Sequence, residues 1–345
     1  MPRIPTDTIR QFAVRVLEAS GATPAAARLV SDHLVEASLV GHDSHGVARL
    51  KQYVDDIKAG SVDLLAKPRI VRQSPTTAVV DAGHCWGPVA GYFAVDVALE
   101  KVKAQSLAAV TVRRSHHIGR IGTYAASLAD HGYIGIVHCS VQSVARVAPW
   151  GGTERRLATN PIAIAVPADD GSIVVDLATS AVAEGKVRLA RAAGKPVPIG
   201  WVLDNNGQFS TDPSVSYEQG AIAPLGGDQG HKGYCLAVGV DLLGGVLAGI
   251  GVGKMESIYG NSFLLQAIDP EAFCDRDELR RRTNEYVQYV KATRRRDGVD
   301  EILMPGQIES QRRAANLRDG LDVASNVYDQ LRGLGDSLGV ALADH

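Results

Sequence analysis

The residues that offer chemistry most directly are His45 and Arg49, in the run Gly41-His42-Asp43-Ser44-His45-Gly46-Val47-Ala48-Arg49-Leu50. Asp43 or Ser44 can cap a helix start by accepting backbone N–H bonds that have no partner inside the helix. A helix beginning there would place His45 and Arg49 one turn apart on a single face. That face pairs a group that exchanges a proton near neutral pH with a planar fork suited to a carboxylate. Ser44 stands where it can orient the imidazole or touch a substrate. A small oxo- or hydroxy-acid suits the combination. An ordinary surface helix start with a salt-bridging Arg fits the spacing too.

Other segments carry weaker signals. Ser115-His116-His117-Ile118-Gly119-Arg120-Ile121-Gly122 lies between a β-like run and a helical segment. Backbone N–H groups at such a junction attract phosphate, and glycines allow close approach. The two histidines mark either a site or a structural pair, and with no third ligand at recognisable spacing no metal is expected. In Thr159-Asn160-Pro161 the proline predicts an extended Asn160, either in a structural turn or facing a ligand. Asp176-Leu177-Ala178-Thr179-Ser180 closes a β-like run with a carboxylate and two hydroxyls suited to ribose or phosphate. The Gly-rich loop 226–233 runs into an apolar helix, so His231 and Lys232 would meet an anion with both charge and helix dipole. Met304-Pro305-Gly306-Gln307 is a turn before a helix. No strand leads into a GxGxxG helix start, so a Rossmann fingerprint is absent. Gly249-Ile250-Gly251-Val252-Gly253-Lys254 lacks both the first glycine and the final hydroxyl of a phosphate loop.

These segments need a scaffold, and its outline is legible. Residues 6–60 read as three helices: the first capped by Thr6 or Asp7, the second opened by Thr23-Pro24, the third starting at Asp43-Ser44-His45. Short β-like runs follow at 69–72, 77–80, 108–112, 134–137, 163–166, 173–175 and 262–267. Helical segments are expected at 89–104, 120–130 and 182–193, from 269 to about 291, and at 311–318 and 322–338. This is α/β or α+β with a mixed sheet. Helices at both ends predict a helical domain built from residues 1–66 with 306–345, around a central sheet domain of residues 67–305. Residues 234–253 are nearly all apolar but contain Asp241 and six glycines. A buried helix and a Gly-rich turn fit better than a membrane span. Gly245 and Gly249 would admit a close backbone, a subunit partner's included.

At 345 residues the chain exceeds the roughly 250 to 300 at which single cores usually stop growing. It has 36 Lys+Arg against 38 Asp+Glu. No basic stripe suggests nucleic acid, and the arginines of 280–282 and 294–296 are expected to be solvated. Of four scattered cysteines without a CxxC pair, three sit in apolar or Gly-rich surroundings, which suits reduced core thiols in a cytoplasmic protein. The N-terminus shows no apolar signal core.

Taken together and in order, the motifs resemble the malate/L-lactate dehydrogenase family, whose fold is not Rossmann. They are Ser44-His45-Gly46, Ser115–Gly119, Thr159-Asn160-Pro161, Asp176–Ser180, Lys232-Gly233-Tyr234 and Pro305-Gly306-Gln307. The likeness spans residues 5–340, and details around 41–45, 116–122 and 231–234 look closest to the hydroxycarboxylate dehydrogenase B branch. It implies a sulfolactate-dehydrogenase-like fold with a mixed central sheet domain, a homodimer, and hydride transfer between NAD or NADP and C2 of a 2-oxo or 2-hydroxy acid. His45 would donate or accept the proton, supported by Ser44. Arg49 would hold the substrate carboxylate, with Thr159 and Asn160 beside it, and His117, a further catalytic residue, would sit by the nicotinamide or the substrate. His45, Gly119, Arg120, Ile121, Ser140, Asp176, Leu177, Ala178 and Thr179 would line the cofactor. So would His231, Lys232, Gly233, Met304, Pro305, Gly306 and Gln307. The pattern departs from the family at Gln307, which replaces the usual Glu, and Arg49 is not expected throughout the B branch. Lys186 matches the hydroxy-acid branches, whereas the imine reductases carry an acid there. Ureidoglycolate oxidation and cyclic-imine reduction are the rival reactions on this scaffold. A non-catalytic small-molecule binding protein is the rival from another class.

Overall fold

The computed structural model describes residues 3–169 and 171–342; residues 1–2 and 343–345, at the outer ends of the expected helical domain, lie outside them. A short strand β1 (Arg3–Ile4) leads into α1 (Thr6–Ala19) and α2 (Pro24–Leu39). Thr23 caps α2 as expected, accepting from the Ala26 N–H. No side chain caps α1, which starts directly after Pro5. Helix α3 (Leu50–Lys58) starts later than the sequence predicts. Next come β2 (Arg69–Gln73), β3 (Thr77–Asp81), α4 (Gly87–Gln105), β4 (Leu107–Ser115), α5 (Gly122–Asp130), β5 (Ile134–Gln142), β6 (Ile162–Val166) and β7 (Ile173–Leu177). Helix α6 (Glu184–Ala192) precedes β8 (Val202–Leu203), β9 (Phe209–Ser210) and β10 (Ala221–Ile222). The chain continues through α7 (His231–Gly244), β11 (Gly260–Ile268), α8 (Arg276–Lys291), α9 (Gln307–Asp319), β12 (Leu321–Asp322) and α10 (Ser325–Leu338).

The main sheet has the order β2-β3-β4-β11-β5-β6-β7. Only β3 and β4 run parallel, so the sheet is mixed. Alternation along the strands sorts its two faces: Val110, Val112, Val137, Cys139 and Phe263 join an apolar cluster with residues of α4 and α5. Helix α7 packs on β5 and β11 from the other side, where Ser140 reaches it. A second cluster gathers Phe12, Leu34, Leu50 and Tyr53 with Leu321 and Leu331. There β1 pairs antiparallel with β12, Ile4 opposite Leu321. A third, around Val187, Val202 and Ile222, lies under the small sheet β10-β8-β9. Its two-residue strands carry too little alternation to be read from sequence.

The apolar run is not the fully buried helix expected. Helix α7 stops at Gly244, and only one of its faces is covered. Leu236, Leu242, Leu243, Val246 and Leu247 stay exposed, and so does Cys235, which is no core thiol. Its glycines meet their own chain: a Cβ on Gly245 would lie 2.3 Å from Val252 Cγ1, and one on Gly244 2.7 Å from the His138 carbonyl oxygen. Among the described residues no helix is long and apolar enough to cross a membrane. The arginine run on α8 is solvated as expected, Arg281 and Arg282 pairing with Glu278.

Candidate active site

The run 41–50 is not one helix. Two 3₁₀ turns, Asp43–His45 and Val47–Arg49, are separated by an extended Gly46. Neither Asp43 nor Ser44 makes a side-chain cap. The break has a packing cause: a Cβ on residue 46 would lie 2.0 Å from Ser38 Oγ, which accepts the Val47 N–H at 3.0 Å. Pressing the turn onto α2 both ends the helix and fixes the angle of His45. Arg49 reaches back, its Nε donating to the Ser44 carbonyl at 2.6 Å and its Nη1 to Gln52. The two residues therefore share a site through a folded-back contact rather than a helix face.

His45 Nδ1 lies 3.0 Å from Ser44 Oγ, and its ring stacks on His117 with centroids 5.6 Å apart and planes 20° off parallel. His117 Nδ1 is in turn 2.9 Å from the Tyr53 hydroxyl, which is also 3.2 Å from the His117 carbonyl oxygen. Both imidazoles thus have Nδ1 tied and, among the described residues, Nε2 free of hydrogen-bond partners. Burial, with the Arg49 charge as the next cause, lowers His45 to about 3. The same causes hold His117 well below the usual histidine range, and both are neutral at physiological pH.

These groups open into a cavity of about 340 Å³. Its lining includes His45, Arg49, His117, Gly119, Ile121 and Thr159, together with Gln52, Cys139, Val141, Arg146, Glu184, Arg188 and Tyr259. A second cavity, of about 830 Å³, is walled by Arg120 and by Met304, Pro305, Gly306 and Gln307, with α8 and α9 around it. The two share the segment 119–121, Gly119 and Ile121 facing one and Arg120 the other. Gly119 has φ +77° and presses against His33, so this bend depends on having no side chain. Gln307 holds the 304–307 turn by accepting the Met304 N–H and donating to Glu301.

Several expected residues lie elsewhere. Strand alternation sends Cys139 and Val141 into the first cavity and Ser140 to the far face, where its hydroxyl donates to Asp241 at 2.6 Å. Asp176 pairs with Arg120 at 3.2 Å and accepts the Gly122 N–H. The Thr179 hydroxyl is engaged by the carbonyls of Thr159 and Asn160, and Ser180 by that of Val182. Of the 176–180 segment none lines either cavity, because its polar groups bond to the protein itself. His231, Lys232 and Gly233 are also absent from both linings; His231 lies edge-on to Trp150, 6.0 Å between centroids. Asn160 is buried and not extended: its φ is +36°, a conformation Asn tolerates better than most residues. Its Nδ2 donates to the Ala237 carbonyl, so contact with α7 overrides the pull of the following proline. Lys186 points to solvent. Its neighbours Glu184 and Arg188, one helical turn apart on α6, face the cavity instead. Tyr53, Arg146, Glu184 and Arg188 had no motif to mark them, although Glu184 stands two residues from a position already singled out.

The sequence profile of the malate/L-lactate dehydrogenase family matches residues 4–332. The chain belongs to that family. A malate dehydrogenase of Pyrococcus horikoshii is 36% identical over 98% of this chain and 96% of its own length. Hydroxycarboxylate dehydrogenase B of Escherichia coli O157:H7 is 34% identical over 95% and 92%. The crystal structure of malate dehydrogenase from Entamoeba histolytica superposes with a TM-score of 0.95 at 30% identity, covering 99% of each chain. The family resemblance and the non-Rossmann mixed α/β fold both stand. The near-equal identities leave the branches of this nicotinamide-dependent family unseparated.

Proposed function

We propose that this family member moves a hydride between NAD or NADP and C2 of a 2-oxo or 2-hydroxy carboxylic acid, of the malate, lactate or hydroxyphenylpyruvate type. One observation carries the reading: a Ser44-supported His45, stacked on His117, shares a cavity with Arg49. The residues present also fit a dinucleotide. Two adjoining cavities share a bend that only a glycine fits, and Arg120, held by its ion pair with Asp176, lines the second of them. His117, Gly119 and Ile121 would hold the nicotinamide half, and Arg120 with Met304–Gln307 the other. When bound, the nicotinamide supplies or takes up the hydride.

The chain's own groups do the rest. Arg49 receives the C1 carboxylate, its Nη2 having no protein acceptor among the described residues. His45 Nε2 takes the hydroxyl proton in oxidation and returns it to the oxygen in reduction. A serine hydroxyl both donates and accepts, so Ser44 satisfies Nδ1 in either state. Because the Arg49 charge helps hold His45 neutral, a carboxylate seated on Arg49 raises the imidazole's proton affinity. Substrate binding thereby prepares the acid that reduction requires. A second reading, reduction of a cyclic imine, gains support from the Glu184 carboxylate in the cavity.

The deciding experiment follows the near-ultraviolet band of the reduced nicotinamide. NADH or NADPH would be offered with 2-oxo acids and a cyclic imine, and ureidoglycolate tested in the oxidative direction. We expect oxo-acid-dependent consumption, and a loss of about a hundredfold or more in His45→Ala with cofactor binding kept. Wild-type turnover in that variant would refute the assignment. We infer as well that a second copy covers the exposed α7 stripe, since monomers seldom leave such patches open. A purely monomeric species in sedimentation would refute this.

A further inference from the structure

The strongest way to steady an arginine is a carboxylate on its fork, and Arg49 is steadied without one. Its Nε donates to the Ser44 carbonyl and its Nη1 to Gln52 Oε1, both neutral acceptors, and it forms no ion pair among the described residues. Gln52 and Asp56 stand one turn apart on α3, and half-buried Gln52 lies between Arg49 and Asp56 in the cavity wall. Its Nε2 donates to Asp56 Oδ2 at 3.5 Å. These two neighbours fix which way the amide lies, since the reverse would set its NH2 against a guanidinium and its oxygen against a carboxylate. The same amide reaches the Tyr259 hydroxyl, another group of the cavity wall. Beyond it, Asp56 Oδ2 is 3.4 Å from Nε2 of His116, which burial lowers to about 4 and leaves neutral at physiological pH. Burial raises the Asp56 carboxyl from its ordinary value, and the Gln52 amide is the first influence to oppose that. One amide thus separates the Arg49 charge from the carboxylate next in line. A charged side chain at 52 would fail: a base would face Arg49, and an acid would face Asp56 and neutralise the fork.

We propose that Gln52 is a positioning residue, a neutral spacer that fixes the Arg49 fork while keeping its charge for the C1 carboxylate of the substrate. The inference rests on the reading that Arg49 receives that carboxylate, and it deepens it. With Nε and Nη1 both anchored, the guanidinium plane is set and Nη2 is left open. An acid at 52 would occupy the fork before substrate arrived, and an incoming anion would have to compete with a tethered one. The same charge acts on His45. After burial, Arg49 is the first influence that lowers the imidazole, joined by His42, His33 and Arg120. Gln52 therefore governs both how tightly the acid binds and how far its binding changes the proton affinity of His45.

The test compares three variants with the wild type. Gln52→Glu keeps the acceptor and the shape but adds charge, and Gln52→Met keeps the length but removes the acceptor. Gln52→Glu with Asp56→Asn holds the net charge constant while moving the carboxylate onto the fork, and it serves if Gln52→Glu alone does not fold. Calorimetry, with and without NADH, gives Kd for lactate and malate; kinetics give kcat and KM for pyruvate and oxaloacetate. Both carboxylate-bearing variants should raise Kd and KM by roughly tenfold to a hundredfold, with kcat changed less. Gln52→Met should raise them by roughly twofold to tenfold, since the fork keeps its charge and its Ser44 anchor. A merely structural glutamine would give the opposite order, tolerating Glu and suffering from Met, and that order overturns the proposal. Acids that bind and weaken as expected while no oxo acid is reduced keep the spacer and refute hydride transfer. Turnover with Kd and KM unchanged in the carboxylate-bearing variants refutes the spacer and keeps hydride transfer. A wild type that binds neither acid overturns the spacer together with the role of Arg49.

Discussion

Replacing Gly119 by Ala tests whether the bend between the two cavities is what the cofactor reading needs. The added methyl meets two costs. Its backbone sits at φ +77°, where an L-residue gives up about 1 to 2 kcal/mol. Its Cβ would then lie 2.2 Å from His33 Nε2 and 2.6 Å from Cδ2. That ring has little room, stacked on Tyr124 at 5.2 Å and edge-on to Tyr92 at 6.1 Å. Forcing it aside is overpacking, about 1 to 3 kcal/mol. The sum is about 2 to 5 kcal/mol, drawn from fold stability, from dinucleotide affinity, or from both as the loop moves. The assay is a double-mutant cycle of Gly119→Ala with His33→Ala, read by thermal unfolding and by the Kd for NADH and NADPH. His33→Ala removes the obstacle but not the backbone cost, so Gly119→Ala should cost about 1 to 3 kcal/mol less in its presence. Strict additivity would refute the steric account. An unchanged melting temperature together with an unchanged Kd in the single variant would refute both the strain and the place of this loop in binding.

Tyr53→Phe removes the hydroxyl tied to His117 Nδ1 and its carbonyl. Losing one such bond, about 1 to 2 kcal/mol, should lower kcat by roughly 5- to 30-fold; unaltered kcat and stability would show that the His117 ring is held by packing alone. Acid should destabilise the protein. Burial lowers His33 to about 3 and His116 to about 4, so both stay neutral in the fold while the unfolded chain protonates below its ordinary value. Stability is therefore full above about pH 6.5 and is lost as pH falls from there toward the folded values, about 2 kcal/mol per histidine at pH 5. A melting temperature unchanged between pH 7 and pH 5 would contradict this.

Most of the secondary structure was legible because the main strands are long, apolar and bounded by turns. Each observed strand of the large sheet contains its expected run, usually extended by one or more residues. The errors share a cause: tertiary contact outvoting a local rule. Proline predicted an extended Asn160, yet bonding to α7 holds it left-handed. A capping pattern predicted one helix at 43, yet Ser38 presses on Gly46 and splits it. Polar groups of 176–180 looked like ligand contacts and proved to be bonded within the fold. The family motifs led to His45, Arg49 and His117, which do meet in one cavity. Glu184, Arg188 and Arg146 carry no local signature, because what makes them cavity residues is the placement of α6 and the small sheet.

The pairing of Ile4 with Leu321 has a consequence for biosynthesis. The apolar faces of α1, α2 and α3 are closed partly by residues from Leu321 to Leu334. At 5 to 20 residues per second, a ribosome needs roughly ten to fifty seconds to travel from the end of α3 to β12. Throughout that interval the nascent helices that flank His45 and Arg49 must wait with part of their apolar surface uncovered. A chaperone that binds exposed apolar segments would find its opportunity here. The turn that carries His45 would become rigid only once β12 and α10 have emerged, long after the sheet strands of the middle region.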